Sequence, residues 1–362
     1  KDLTDTHWFT SKTMAFMMPT IMMIMNGLSL AIYWIGAVLI NDAQDMQGKF
    51  SLFSDMVVFS SYAMQVVMSF MMLVMIFIML PRASVAAKRI LEVLDTEPSI
   101  EDGTRDTFPV MKDGEVEFKD VSFKYPDAEE YVLEHISFSA KKGETIAFIG
   151  ATGCGKSTAI NLIPRFYDVT DGEVLVDGVN VKEYTQEALH NKIGYVSQKA
   201  ILFSGTIAEN VAYGENGKAP ATQDDIVMAV KVAQASEFVE KKDQGYDGYV
   251  AQGGSNFSGG QKQRLSIARA IARQPEILIF DDSFSALDYK TDRILREALR
   301  KECKDATKII VAQRIGTIRD ADKIIVLDDG QIAGMGTHDE LMKNCEVYQE
   351  IAYSQLSKEE LA

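Results

Sequence analysis

The chain of 362 residues is poor in cysteine and has fewer basic than acidic residues, and each shortage excludes a class of protein. Its three cysteines, Cys154, Cys303 and Cys345, form no Cys-x-x-Cys pair. That spacing argues against a disulfide framework or a zinc site and fits a reducing compartment. The formal net charge is -15. Because phosphate neutralisation needs clustered Lys and Arg, we expect no nucleic-acid partner.

Charge is also missing from two long apolar runs near the start of the chain. Residues 14–40 and 56–80 contain no Asp, Glu, Lys or Arg. At about 1.5 Å per residue, either run as a helix exceeds the roughly 30 Å of a bilayer core. Residues 1–81 are therefore predicted to hold two transmembrane helices. No signal-peptide pattern precedes them, and the chain begins with Lys1 rather than Met, so we expect the C-terminal part of a longer membrane domain.

The charges that flank these runs predict an orientation. The connector 41–55 holds three aspartates against one lysine, whereas Arg82, Lys88 and Arg89 follow the second run. Positive residues stay on the cytoplasmic side, so the soluble part is expected in the cytoplasm of a multi-pass protein of the plasma membrane. Fourteen of the 18 methionines lie between Met14 and Met79. This enrichment fits either a path for small apolar substrates or simple packing against membrane lipid.

The pattern changes after residue 81. Residues 82–113 are predicted as a helical extension from Ala83 to Leu94 followed by a polar, turn-rich linker. From Gly114 onward, short apolar strands alternate with helical patterns, which is typical of a parallel sheet layered with helices. The second part, 114–362, is therefore predicted to be an α/β domain.

The segment GATGCGKST between a short apolar strand and a helix predicts a phosphate-binding loop of the P-loop NTPase type. Glycines let backbone N–H groups approach the phosphates, Lys156 reaches the β- and γ-phosphates, and Ser157 ligates Mg²⁺. The expected ATP-binding residues of this loop are Gly150, Thr152, Gly153, Cys154, Gly155, Lys156, Ser157 and Thr158.

A second apolar strand, ILIFDD, ends in two acids. In a P-loop enzyme the first acid, Asp281, holds Mg²⁺ through water. The next acid, Asp282, stands where a general base for the attacking water would sit.

Between these motifs lies NFSGGQKQRLSIARA, and here the chain resembles the ABC transporter family, specifically exporters that fuse transmembrane and ATPase domains. FSGGQ is similar to that family's LSGGQ signature, with Phe257 in place of leucine. Tyr125 resembles the aromatic residue that stacks on adenine, and Gln198 resembles the glutamine that contacts Mg²⁺ and the transmembrane domain. The remaining matches are the signature Ser258, Gly259, Gly260 and Gln261, and the D-loop Ser285, Ala286, Leu287 and Asp288.

The resemblance implies a fold and a mechanism. The fold would be a membrane α-helical bundle, here a fragment of two helices, plus an α/β P-loop NTPase domain with an antiparallel β subdomain and a helical subdomain at about 199–274. Two such domains would meet head to tail around two ATP molecules. The P-loop of one would face the signature of the other, with Mg²⁺ and ATP as ligands.

Two positions depart from the family's hydrolysing pattern. The catalytic glutamate is Asp282 here, one methylene shorter, and a misplacement of about 1 Å can cost on the order of 10²-fold in rate. The switch histidine is Gln313, which can donate a hydrogen bond to a γ-phosphate but cannot become cationic or orient the base as an imidazole does. We therefore expect ATP binding with weak hydrolysis at this chain's own site, although normal turnover with Asp282 as a tolerated base stays open.

An intact signature beside a weakened site predicts a heterodimer with a second ABC half-transporter. The chain then resembles the degenerate-site subunit of heterodimeric bacterial multidrug exporters, and apolar drugs or lipids are the expected cargo. Two alternatives remain, a homodimeric lipid or peptide exporter that uses Asp282 as base and a regulatory ATP-binding half that gates its partner.

Overall fold

The computed structural model describes residues 2–107, 113–126 and 128–355, which fall into two compact units, Lys1–Pro98 and Ser99–Ala362. Position 1, residues 108–112 of the predicted linker, position 127 and the last residues, 356–362, lie outside the described part.

The first unit is a pair of long helices, α1 (Asp2–Asp42) and α2 (Met46–Leu94). By length and composition both are able to cross a membrane. The predicted connector 41–55 is too long, since only residues 43–45 separate the helices. The reason is local, because Asp45 caps α2 by accepting a hydrogen bond from the Gly48 N–H at 3.1 Å, so the helix begins ten residues before the apolar run.

Helix α2 continues through Pro81 to Leu94 and so includes the residues from Ala83 for which a helical extension was predicted. The division between the two units falls after Pro98, inside the predicted linker. The linker residues that follow pair with the second unit. The backbone N–H groups of Gly103 and Arg105 donate to the carbonyls of Tyr184 and Glu183 at 3.1 and 2.9 Å.

The second unit is built from short strands and helices. The strands are β1 (Val116–Phe123), β2 (Leu133–Ala140), β3 (Thr145–Gly150), β4 (Asp171–Val176), β5 (Val179–Asn180), β6 (Ile193–Val196), β7 (Gly205–Thr206), β8 (Tyr249–Val250), β9 (Ile277–Asp281), β10 (Thr307–Val311), β11 (Lys323–Asp328) and β12 (Gln331–Gly336). The helices are α3 (Lys156–Asn161), α4 (Gln186–Lys192), α5 (Ile207–Val211), α6 (Gln223–Val232), α7 (Ser236–Glu240), α8 (Gly259–Ala272), α9 (Tyr289–Glu302), α10 (Ile315–Ile318), α11 (His338–Asn344) and α12 (Glu346–Gln355). Single 3-10 turns occupy Gly245–Asp247 and Gln252–Gly254.

The strands form a mainly parallel sheet and an antiparallel one, as the sequence predicts. The six-stranded sheet has the order β12-β11-β3-β10-β9-β6, parallel except for β12 at its edge. The order β2-β1-β4-β5 is antiparallel throughout, and β7 pairs with β8. Segment 199–274 contains α5 to α8 and the small β7–β8 pair.

The order of the central sheet positions the site. Strand β10 lies between β3 and β9 and is parallel to both. The carboxyl ends of parallel strands share one edge of a sheet. Gly150 at the end of β3, Asp281 at the end of β9 and Gln313 just after β10 therefore lie at the same edge.

Candidate functional site

The phosphate loop joins β3 to α3 through glycines in conformations that other residues avoid. Gly155 has φ 95° and stands at the N-terminus of α3. Gly150 has φ 154°, and a Cβ there would collide with the carbonyl oxygen of Leu327 on the neighbouring strand β11. The loop can therefore approach a ligand with its backbone at the positive end of a helix.

Lys156 at the start of α3 folds back over this loop. Its Nζ donates to the carbonyl oxygens of Gly150 and Ala151 at 2.9 and 2.6 Å and lies 3.5 Å from the buried Cys154 Sγ. Only 9% of the lysine is exposed. Its charge is thus concentrated inside the loop, where it would meet an anionic ligand.

Ser157 and Asp281 meet although 124 positions separate them. The Ser157 hydroxyl donates to Asp281 Oδ1 at 2.7 Å, and the Tyr195 hydroxyl lies 3.4 Å from Asp281 Oδ2. Tyr195 also donates to Asn161 Oδ1 at 2.9 Å. Burial, with the Asp281 charge beside it, raises the pKa of Tyr195, which therefore stays a neutral donor.

Asp282 is buried and held by two amides. Its Oδ2 accepts hydrogen bonds from Gln313 Nε2 at 2.7 Å and Gln198 Nε2 at 3.2 Å. Its backbone is left-handed, with φ 45°, a conformation that aspartate tolerates better than most residues. Burial raises the pKa of Asp282, and the hydrogen bond from Gln198 opposes this shift. Gln313 was expected to donate one neutral hydrogen bond to a γ-phosphate, and in this structure its amide donates to the carboxylate of Asp282.

The D-loop is attached to the loop that carries Gln313. The Arg314 guanidinium donates to the carbonyl oxygens of Ser285 and Leu287 at 3.3 and 3.4 Å. The Ser285 hydroxyl donates to the Asp282 carbonyl oxygen at 2.8 Å. Asp288 caps α9 through the Thr291 N–H at 3.0 Å. A displacement of the loop that carries Gln313 would therefore also move the D-loop residues that are bonded to Arg314.

The FSGGQ segment presents only part of itself at the surface. Ser258 and Gln261 form a capping box at the start of α8, with Ser258 and Gly259 exposed. Phe257 is 6% exposed and packs edge-on against Phe238, so its side chain serves packing.

The signature helix begins against the D-loop. A Cβ at Gly260 would lie 3.2 Å from the carbonyl oxygen of Ala286, tighter than an ordinary contact. Among the described residues, the hydrogen bonds of Ser258 and Gln261 stay within the helix start, so the structure does not bring FSGGQ to the chain's own phosphate loop.

Tyr125, the predicted adenine-stacking residue, is half-buried beside the phosphate loop. Its hydroxyl is 3.0 Å from Thr158 Oγ1. Its ring packs edge-on against Phe123 and Tyr167, with centroid separations of 5.0 and 5.2 Å.

Comparison with known proteins decides the family. Residues 133–285 match the family model described as ABC transporter. An uncharacterised ABC transporter ATP-binding protein of Mycobacterium tuberculosis is 44% identical over 342 residues, which is 94% of this chain and 57% of that protein. The chain belongs to the ABC transporter family. YfiB of Bacillus subtilis, also an uncharacterised ABC transporter ATP-binding protein, is 41% identical over 95% of this chain and 58% of its own length.

Two further similarities are to proteins whose names describe export. A Staphylococcus aureus relative, whose name proposes a multidrug export ATP-binding/permease protein, is 45% identical over 72% of this chain and 45% of its own length. The solved structure of a bacterial Atm1-family ABC exporter with ATP bound has a TM-score of 0.82 at 30% identity, covering 98% of this chain and 61% of that one. The chain thus spans about three fifths or less of the length of these proteins. Within it, two helices long enough to cross a membrane precede the ABC domain.

Within the ABC domain, the structure gathers six of the predicted site residues at one edge of the central sheet. Those residues are Lys156, Ser157, Gln198, Asp281, Asp282 and Gln313. Sequence reasoning missed Tyr195, Arg314 and Gln355, whose contacts fix this group. Tyr195 lies on β6, which pairs with β9, and it precedes Gln198 by three residues. Its place in a strand beside the one that carries Asp281 was a signal in the sequence pattern. Arg314 and Gln355 belong to no motif with a known chemical role.

Proposed function

We propose that this chain binds Mg·ATP at its own phosphate loop and couples ATP to the export of apolar substrates across the cytoplasmic membrane. The observation that carries the proposal is the hydrogen bond of 2.7 Å between Ser157 and Asp281, directly beside Lys156. These side chains come from α3 and β9, and a hydroxyl and a carboxylate that meet next to a phosphate loop are the pair that a P-loop enzyme uses to hold Mg²⁺.

The residues present fit ATP and Mg²⁺. Ser157 and Asp281 supply the oxygen atoms that Mg²⁺ prefers, one of them through water. Lys156 and the backbone N–H groups of the glycine loop would hold the phosphates, and the exposed face of the Tyr125 and Tyr167 cluster would receive the adenine. When bound, Mg²⁺ neutralises charge on the β- and γ-phosphates.

This chain combines an ATP site that is weak in its base position with an exposed signature segment, and this combination supports a heterodimer. Asp282 is short for a base, and the Gln313 amide that holds it is neutral, so hydrolysis at this chain's own phosphate loop is expected to be weak. Ser258 and Gly259 remain exposed at the start of α8, ready to meet the γ-phosphate of a second ABC half-transporter. The chain's bound ATP would then be mainly structural, and its signature would serve the active site.

One observation favours a second candidate. Gln313 donates to Asp282 at 2.7 Å and, although neutral, fixes the direction in which this carboxylate points. A homodimeric lipid or peptide exporter that uses Asp282 as a weaker base is therefore the alternative, with a regulatory half that gates its partner as the third possibility.

The deciding experiment is gentle affinity purification of the full-length chain from native membranes, followed by mass spectrometry and by vanadate trapping of photoreactive ATP. We expect a second half-transporter in equal amount, ATP labelling of both chains, and vanadate-dependent trapping mainly on the partner. Recovery of this chain alone, with fast turnover, would establish the homodimer instead. Absence of ATP labelling on this chain would refute the proposed binding itself.

A further inference from the structure

The side chain of Gln355, in the last turn of α12, makes two hydrogen bonds to the backbone of the loop that follows β10; we call this pair of bonds the grip. Its Nε2 donates to the carbonyl oxygen of Gln313 at 2.8 Å, and its Oε1 accepts from the Ile315 N–H at 2.9 Å. One primary amide thus satisfies a donor and an acceptor two residues apart, as a neighbouring strand would.

Helix α12, which carries Gln355, is anchored by packing against the core. Tyr348 and Ala352 are fully buried on its inner face. The Tyr348 hydroxyl lies 2.8 Å from Nδ1 of His338 in α11. Burial, with Arg319 nearby, lowers the pKa of His338, so this ring is neutral and the contact persists at physiological pH.

The gripped loop carries the groups that act on the nucleotide site. The Gln313 side chain donates to Asp282 Oδ2 at 2.7 Å, and the adjacent Arg314 holds the D-loop carbonyl oxygens. Both contacts depend on where the backbone of residues 313–315 lies. In the described part of the chain, Gln355 is the side chain outside this loop that bonds to that backbone.

We propose that Gln355 is a positioning residue of the nucleotide site, whose amide fixes the backbone of residues 313–315 and thereby keeps the Gln313 amide on Asp282. This inference rests on the proposed ATP chemistry of the site. Gln355 does not touch the reacting atoms and acts only through Gln313. Its side chain is exposed, so its removal leaves no cavity in the core.

The test compares Gln355→Ala with Gln349→Ala in the full-length protein and its native assembly. Gln349 lies on the same helix and also donates from Nε2 to a backbone carbonyl, that of Met342 at 3.0 Å, but it does not contact the loop. Hydrogen–deuterium exchange of the peptide spanning 312–316 reads the grip directly. Vanadate trapping of photoreactive ATP on this chain, separated from any partner by mass, reads turnover at its own site.

We expect Gln355→Ala to speed exchange in that peptide and to lower trapping several-fold, with ATP affinity within about twofold of the parent, since a misplaced group costs rate rather than binding. Gln349→Ala should change neither. The double variant Gln313→Ala/Gln355→Ala should trap no less than Gln313→Ala alone, because both changes break one chain of contacts.

Unchanged exchange in Gln355→Ala would overturn the inference, and so would faster exchange with unchanged trapping. Equal losses in Gln355→Ala and Gln349→Ala would reduce Gln355 to a general structural role. If the parent protein fails to bind ATP, the proposed function falls, while the exchange comparison still decides whether Gln355 holds the loop.

Discussion

Gln313 donates a hydrogen bond of 2.7 Å from its side-chain amide to Oδ2 of Asp282, the same oxygen that accepts from Gln198. Two neutral donors from different loops therefore orient one short, buried carboxylate. Neutral donors offset only part of the cost of burying a charge, so the pKa of Asp282 stays raised. This geometry suits the general base proposed for Asp282, but neither donor carries a positive charge that would stabilise the ionised carboxylate.

Lengthening this carboxylate should strengthen the site. Asp282→Glu extends the side chain by about 1 Å, and because misplacement of that size costs on the order of 10²-fold, we expect vanadate trapping on this chain to rise at least tenfold. Asp243→Glu, at an exposed position, is the matched control and should leave trapping unchanged. Trapping in Asp282→Glu at or below the parent level would show that reach is not what limits hydrolysis here.

The raised pKa of Asp282 predicts an acid limb in turnover. A base must be ionised, so trapping on this chain should fall as the pH drops through a pKa above the ordinary aspartate value of about 3.9. Gln313→Ala removes a donor to the charged form and should move this limb to higher pH. The control is Gln331→Ala, which removes a comparable surface hydrogen bond, that from Gln331 Nε2 to Glu134 Oε2 at 3.0 Å. This variant should leave the acid limb where it is.

The opposite or no displacement of the acid limb in Gln313→Ala would contradict that assignment.

The raised pKa of Asp282 also makes the free energy of unfolding depend on pH. The folded state binds this proton more tightly than the unfolded chain does. The carboxyl's contribution to the free energy of unfolding is therefore full below the ordinary pKa and is lost as the pH rises through the raised one.

Removal of the Ser157 hydroxyl should uncouple ATP binding from Mg²⁺. We expect Ser157→Ala to weaken the apparent Mg²⁺ affinity of the ATP complex by about tenfold or more. With EDTA present, the parent and the variant should bind ATP equally, because the phosphate loop and Lys156 are unchanged. Ser139→Ala on the exposed side of β2 serves as control. Equal Mg²⁺ titrations for Ser157→Ala and the parent would remove Ser157 from the metal site.

The ring and the hydroxyl of Tyr125 can be separated experimentally. Tyr125→Phe loses only the contact with Thr158 and should keep its ATP affinity. Tyr125→Ala loses the ring, and because a base–aromatic stack contributes about 1–3 kcal/mol, ATP should bind about tenfold more weakly or worse. Tyr131→Ala, at an exposed tyrosine, is the control for direct binding measurements. If Tyr125→Phe were as damaging as Tyr125→Ala, the hydroxyl rather than the ring would be the important group.

Sequence alone predicted the elements whose signals are local. The apolar strands before GATGCGKST and at ILIFDD are β3 and β9, and the helical extension to Leu94 is continuous with α2. The connector was predicted too long, because apolarity marks the bilayer and not the helix, which Asp45 starts earlier.

The grip of Gln355 on Gln313 spans 42 positions and uses a residue type with no motif. Such contacts depend on tertiary packing, here the burial of Tyr348 and Ala352, which place the last turn of α12 beside the loop. A single sequence carries no periodic signal for them.

The length of helix α2 determines how far one of its ends moves when the helix tilts. Its 49 residues make a rod of about 73 Å, more than twice the thickness of a bilayer core. A tilt of only about 5° at one end displaces the other by about 6 Å, so a small rotation becomes a large stroke. Pro81 lacks a backbone N–H, so this helix has one backbone hydrogen bond fewer at the point where the apolar run ends.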